Sequence, residues 1–238
     1  MQLEQLELTG GGTLTLYLRE SVEAMPHFRQ RPLVLVVPGG GYTHVSAREG
    51  DPVALQFAAA GYHTAVLDYA ICEKAKDYMP LRQLAEAIGL VRQHAAQWHI
   101  LPEKIAVCGF SAGGHLALSG AVLDIPGEAA QPRPGAEITL EANPETVTEE
   151  TLRGFRAAGV NRVSFGVQSA RDSQLKTLGR PHTAKQARAA FRAAQRAGFE
   201  NISGDIMLAL PHYTQAEFDE TLELIESGGA THISAYLL

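Results

Sequence analysis

The sequence predicts an α/β protein built on parallel sheets, with two units in series. Three observations predict it. Short, continuously apolar runs such as LVLVV (33–37) and KIAVCGF (104–110) read as strands buried on both faces. Segments with helical apolar spacing alternate with these runs, and strand–helix alternation implies parallel strands joined by right-handed crossovers. DIPGEAAQPRPGA (124–136), with three prolines and two glycines, interrupts the alternation and reads as a linker. The expected division is therefore 1–123, a linker at 124–136, and 137–238.

In chain order, LEQLEL (3–8) and TLTLYL (13–18) alternate apolar and polar residues around Gly10–Gly12, the pattern of an antiparallel hairpin. A buried strand at 33–37 ends in Pro38 and three glycines. Asp51 and Pro52 open a helix over 51–60 that Gly61 stops. TAVLDYA (64–70) is a strand. Apolar side chains at 84, 87, 88, 91 and 95 predict a helix over 80–98. A strand at 104–110 and a small-residue helix at 112–123 complete the first unit. After the linker come a strand (137–143), a helix with a threonine cap (148–159), a strand (162–168), a helix (184–197), a strand (201–210), a helix (215–228) and a last strand (231–238). The chain stops inside that apolar strand, which predicts a truncated C-terminal unit.

The chain has 238 residues, 45% of them hydrophobic and 19% charged, which suits a folded globular protein and excludes disordered, collagen-like and coiled-coil chains. Net charge is −6 with no basic run, so neither nucleic acid nor an anionic membrane is an expected partner. Charge does not separate the halves: residues 1–125 hold 9 basic and 12 acidic side chains, and 126–238 hold 11 and 14. The start MQLEQLELTGGG has neither a basic region nor an apolar core, so no signal peptide is expected, and no apolar run is long enough to span a membrane. The two cysteines, Cys72 and Cys108, are expected to be buried thiols in a reducing cytoplasm. They cannot form a disulfide framework or a cysteine-rich metal site, and no metal site is expected.

Two constellations carry chemistry. The first is Gly109-Phe110-Ser111-Ala112-Gly113, between a buried strand and a helix. Glycines two residues before and after the serine permit a turn so sharp that the hydroxyl is pushed out at the strand end. Pro38-Gly39-Gly40-Gly41-Tyr42 follows an earlier strand, and its bare backbone can turn N–H groups inward. The N–H groups of Gly40, Gly41 and Ala112 are the expected oxyanion donors, with Ser111 the expected nucleophile and a small-molecule ester the expected substrate. These motifs resemble the α/β-hydrolase carboxylesterases of feruloyl and acetyl-xylan esterase type over roughly residues 15–123. In that family the triad acid and histidine follow the nucleophile. Downstream, composition offers Asp124, Asp172, Asp205, Asp219, His115, His182, His212 and His232, none in a hydrolase-like context. His115, one helical turn beyond Ser111, is expected to pack or face solvent.

The second constellation lies in EITLEANPETVT, GVNRVSFGVQS, LGRPH, GFENISGDIMLALPHYT and THISAYLL. These segments resemble the oxygen-independent coproporphyrinogen III oxidase and heme-chaperone branch of the radical S-adenosylmethionine enzymes, over about 100 residues. The resemblance implies a partial βα barrel with its site at the C-terminal strand ends. It also implies that Glu141, Gln168, Arg180 and Asp205 match positions contacting S-adenosylmethionine. That family holds a four-iron cluster with a CxxxCxxC run, which two cysteines cannot supply, so no cofactor is expected to act as an electron source. The fold class expected overall is a partial α/β-hydrolase sheet followed by a partial radical SAM-type barrel.

Three accounts follow: a fusion of two gene fragments, a deliberate chimera, or a hydrolase completed by its second half. A heme-related fragment binding S-adenosylmethionine or heme, and a non-catalytic scaffold, are the alternatives. Strands 33–37, 64–70 and 104–110 are expected to expose sheet edges that the hydrolase strands following in the family would cover, and self-association through those open edges is expected.

Overall fold

The computed structural model describes residues 1–21, 24, 29–123, 131–210 and 213–237. The chain forms two compact units, Met1–Pro134 and Gly135–Leu238.

The first unit contains a five-stranded sheet in the order β1-β2-β4-β3-β5. β1 (Gln2–Leu8) and β2 (Gly12–Leu18) form the expected hairpin, with Gly10 and Gly11 at φ of 79° and 86°. β2 runs antiparallel to β4 (His63–Asp68), and β3 (Arg31–Val37) lies parallel between β4 and β5 (Ile100–Gly109). The apolar run of β3 has the expected cause. Leu33, Leu35 and Val37 join the main core, while Val34 and Val36 pack on the other face with Ala54 and Val66. Three helices complete the unit: α1 (Asp51–Ala59), α2 (Met79–Gln93) and α3 (Ala112–Val122).

Three expectations are corrected here. The helix expected over 80–98 ends at Gln93, and residues 94–99 are turn, with His99 at φ 56°. Ala95 and Trp98 are buried from that turn, so the apolar spacing outlasts the helix. β5 accordingly starts at Ile100, and a register shift against β3 accommodates Pro102, which has no N–H to give. Neither cysteine is buried: Cys72 is exposed on a 3-10 turn at φ 53°, and Cys108 is partly exposed on β5. Of the three strands expected to expose sheet edges, β4 and β3 are paired on both sides and β5 alone lies at an edge, so its apolar composition does not bring full burial.

The second unit holds four parallel strands in sequence order: β6 (Thr139–Ala142), β7 (Arg162–Gln168), β8 (Asn201–Leu208) and β9 (His232–Leu237). The sheet is not closed. Helices α4 (Glu149–Ala157), α6 (Ala184–Arg196) and α7 (Gln215–Ser227) each begin with a capping box, on Thr148, Thr183 and Thr214. A six-residue helix, α5 (Asp172–Thr177), was not legible in the sequence because it is too short for a helical apolar period. Phe165 of β7 meets Phe191 of α6 edge to face at 5.3 Å, and Val163, Val167, Ile202 and Leu224 of the same unit are also buried. This core fixes the strand ends that carry the second site. Most of the expected linker, residues 124–130, lies outside the described residues.

Candidate functional sites

The Ser111 turn is built by steric exclusion. A Cβ on Gly109 would lie 2.3 Å from the Gly113 carbonyl oxygen, and one on Gly113 would lie 2.0 Å from that of Val37. Neither position admits a side chain, so β5 reverses directly into α3. Ser111 is exposed at the bend with φ 50° and ψ −117°, a conformation that costs a non-glycine residue about 1–3 kcal/mol. Gly39 brings the glycine loop against this turn, since its Cβ would lie 3.0 Å from that of Ser111. Its N–H donates to Glu49 Oε2 at 2.8 Å. The N–H groups of Gly40, Gly41 and Ala112 have no acceptor among the described residues. Tyr42, at φ 60°, closes the loop and shares a 2.8 Å hydrogen bond with His115 Nδ1. Burial raises the Tyr42 hydroxyl above the usual phenol range.

No described residue hydrogen-bonds the Ser111 hydroxyl. His115 is exposed, as expected, and engaged by Tyr42. The other downstream candidates have partners of their own within the second unit. His182 is bonded to the Val167 carbonyl, His232 to Thr231, Asp172 to the Ala184 N–H, Asp205 to Ser164 and Asp219 to Gln215. Asp124 and His212 lie outside the described residues.

In the second unit the parallel strands end on one rim, and a cavity of about 430 Å³ opens there, within the size range of small-ligand sites. Glu141, Gln168, Arg180 and Asp205 all line it. Glu141 comes from the end of β6, Gln168 from the end of β7, Asp205 from β8 and Arg180 from the loop before α6. Gln168 is the most constrained. It is buried, sits beside a register shift at φ 65°, and its Oε1 is sealed from solvent with no hydrogen-bond partner among the described residues. Asp205 accepts from Ser164 Oγ at 3.0 Å. Burial raises its carboxyl above the usual carboxylate range, opposed by hydrogen bonds from Ser164 and Ser234 and by the Arg180 charge.

Sequence reasoning missed Asn143, Gly166, Met207 and Tyr236, which also line the cavity. Each is one or two positions from a strand end, and that position is the signal that would have found Asn143 and Gly166. A Cβ on Gly166 would stand 3.2 Å from Gln168 Nε2 and 3.7 Å from Asn143 Oδ1, so a side chain there would fill the cavity. Among the described residues no group of three or more His, Cys, Asp or Glu side chains is arranged to hold a metal.

The second unit is thus a run of parallel βα units with a polar cavity at the C-terminal strand ends, a partial βα barrel. The family model of the Radical SAM superfamily matches residues 77–225, more than half of the chain, and the chain belongs to that superfamily. The match begins upstream of the segments that carry the resemblance in the sequence. Among curated relatives, the heme chaperone HemW of Bacillus subtilis is 41% identical over 103 residues, covering 43% of this chain and 27% of that protein. HemW of Haemophilus influenzae is 43% identical over the same length and shares. The mitochondrial radical S-adenosyl methionine domain-containing protein 1 of Bos taurus is 39% identical over 118 residues, covering 50% of this chain and 27% of that protein. The chain therefore spans about a quarter of the length of these relatives.

Solved structures resemble the chain in another respect. MGS-M1, an α/β hydrolase from a deep-sea metagenome library, matches with a TM-score of 0.50 at 24% identity, covering 99% of this chain and 81% of that one. The carboxylesterase Cest-2923 of Lactobacillus plantarum matches with a TM-score of 0.51 at 20% identity, covering 100% and 83%. This likeness is one of fold and extends over nearly the whole chain; the first unit has the strand–Ser111–helix turn that the sequence likened to such hydrolases. The chain joins an α/β-hydrolase-like unit to a radical SAM-type unit, as the sequence implied.

Proposed function

We propose that the second unit binds S-adenosylmethionine at the strand-end cavity, without reductive cleavage of it by this chain alone. The observation that carries the reading is the convergence of Glu141, Gln168, Arg180 and Asp205 on one cavity. The donor set suits an amino-acid nucleoside. Arg180 pairs with a carboxylate, and the Glu141 and Asp205 carboxylates accept from an amino group or ribose hydroxyls. When bound next to a four-iron cluster, S-adenosylmethionine is a source of a carbon radical. This sequence has two cysteines, 36 positions apart, and cannot supply a CxxxCxxC ligand set. The residues present fit the nucleoside and not the cluster, so no radical step is assigned. Isothermal titration of S-adenosylmethionine into the chain tests the reading. Binding that Arg180→Ala weakens by about tenfold, the loss of a charge-assisted pair, supports it. Absence of heat and of competition by S-adenosylhomocysteine refutes it.

The Ser111 turn favours a second reading for the first unit. We propose that it keeps the shape of an esterase site, with three unspent N–H groups beside a strained serine, but little of its rate. A serine without a general base is a weak nucleophile at neutral pH. Turnover of p-nitrophenyl acetate is expected to be no greater than that of Ser111→Ala. Robust turnover abolished by the substitution would mean that a histidine reaches Ser111, and His182→Ala, His212→Ala and His232→Ala would identify it.

A further inference from the structure

We propose that His182, acting with Glu145, is the positioning residue of the strand-end cavity; the inference rests on the nucleoside-binding reading above. His182 is 2% exposed and does not line the cavity. Its Nε2 lies 3.1 Å from the Val167 carbonyl oxygen, which can only accept, so Nε2 carries a proton. Its Nδ1 lies 3.5 Å from Glu145 Oε2. Both of these atoms are sealed from solvent, and neither has a hydrogen-bond partner among the described residues. Two lone pairs facing each other without water are unfavourable, and a proton shared between Nδ1 and Oε2 satisfies both.

The three segments joined this way are those that furnish the cavity. Glu145 sits in the 3-10 turn Pro144–Thr146, directly after Glu141 and Asn143. Val167 is the neighbour of Gln168 on β7. His182 follows Arg180 by two residues; the Arg180 N–H donates to the Leu175 carbonyl at 2.9 Å and the Ala184 N–H to Asp172 Oδ1 at 2.8 Å, and both bonds tie the segment to α5 rather than to β6 or β7. One imidazole therefore sets the spacing between Arg180, Gln168 and the end of β6. Loss of either partner is expected to loosen the Arg180 loop while the Phe165–Phe191 core stands.

The test compares Glu145→Ala, His182→Ala and Glu145→Gln in the full chain, each checked for folding by circular dichroism. Glutamine keeps the shape of glutamate and brings an N–H for a neutral His182 Nδ1, so the bridge no longer needs the shared proton. Both alanine variants are expected to bind S-adenosylmethionine about tenfold more weakly, as when a buried polar group loses its partner, and Glu145→Gln to retain wild-type affinity. Alanine variants that melt earlier but bind as wild type would make His182 a fold element and overturn the proposal. So would a Glu145→Gln variant as weak as Glu145→Ala. If the wild type binds no S-adenosylmethionine, the nucleoside reading fails and hydrogen exchange at the Arg180 amide decides. Faster exchange in both alanine variants, restored in Glu145→Gln, upholds the positioning role; unchanged exchange overturns it.

Discussion

His63 should make the first unit acid-sensitive well above the range in which ordinary carboxylates titrate. The side chain is 1% exposed at the start of β4. Its Nδ1 accepts the Arg19 N–H at 3.1 Å, and its Nε2 donates to the His99 carbonyl at 3.2 Å, so the neutral ring is fully bonded. Burial is the main cause that pushes its pKa down to about 4; the charges of Arg31 and Arg19 act in the same direction, and the bond to His99 opposes them. In the unfolded chain the pKa returns to an ordinary value near 6.5. The unfolded state then binds the extra proton between these values. The contribution of His63 is complete above about pH 6.5 and is lost as pH falls toward 4. The gap corresponds to about 3 kcal/mol in full, of which about 2.5 kcal/mol is gone by about pH 4.5. Trp98 is the only tryptophan in the sequence and is buried in the same core, so its fluorescence reports unfolding of this unit alone. Urea midpoints at about pH 7.5 and about pH 4.5 should converge between wild type and His63→Gln, a variant that cannot titrate at this position. A parallel loss in both proteins, carboxylates alone responding, would refute the reasoning.

Other consequences follow from the backbone and the cysteines. Gly113→Ala should cost more than about 3 kcal/mol by Trp98-monitored urea unfolding, because its Cβ would overlap the Val37 carbonyl. Gly89→Ala, inside α2 with open space around it, should stabilise by about 0.5–1 kcal/mol in the same assay. Anaerobic reconstitution with iron and sulfide should give no four-iron cluster spectrum; a stoichiometric cluster would require ligands beyond Cys72 and Cys108.

Features that depend on neighbours in sequence were legible before the structure. β3 is apolar throughout because both its faces are covered, and the run LVLVV says so directly. The glycines around Ser111 announce a turn that excludes side chains, and the structure gives the colliding atoms. The four cavity residues were implied by the family resemblance, and the structure brings all four to one rim because parallel strands and the loops that follow them meet there. What stayed hidden depends on contacts distant in the chain. Nothing near Gly39 says that Glu49 takes its N–H. The exposure of Cys72 is set by a 3-10 turn without an apolar period. His182 read as an ordinary downstream histidine because its partners, Glu145 and Val167, come from other segments. Met207 and Tyr236 are themselves large apolar or aromatic strand residues that no motif singles out.

The central claim is that the strand-end cavity of the second unit receives S-adenosylmethionine. Titrating the compound into the isotope-labelled full chain, with backbone amide shifts followed by NMR, tests it most directly. The account predicts saturable shifts concentrated at residues 141–143, 166–168, 180 and 205–207, with the Ser111 turn unmoved. Shifts confined to other residues, or none at millimolar ligand, would contradict it.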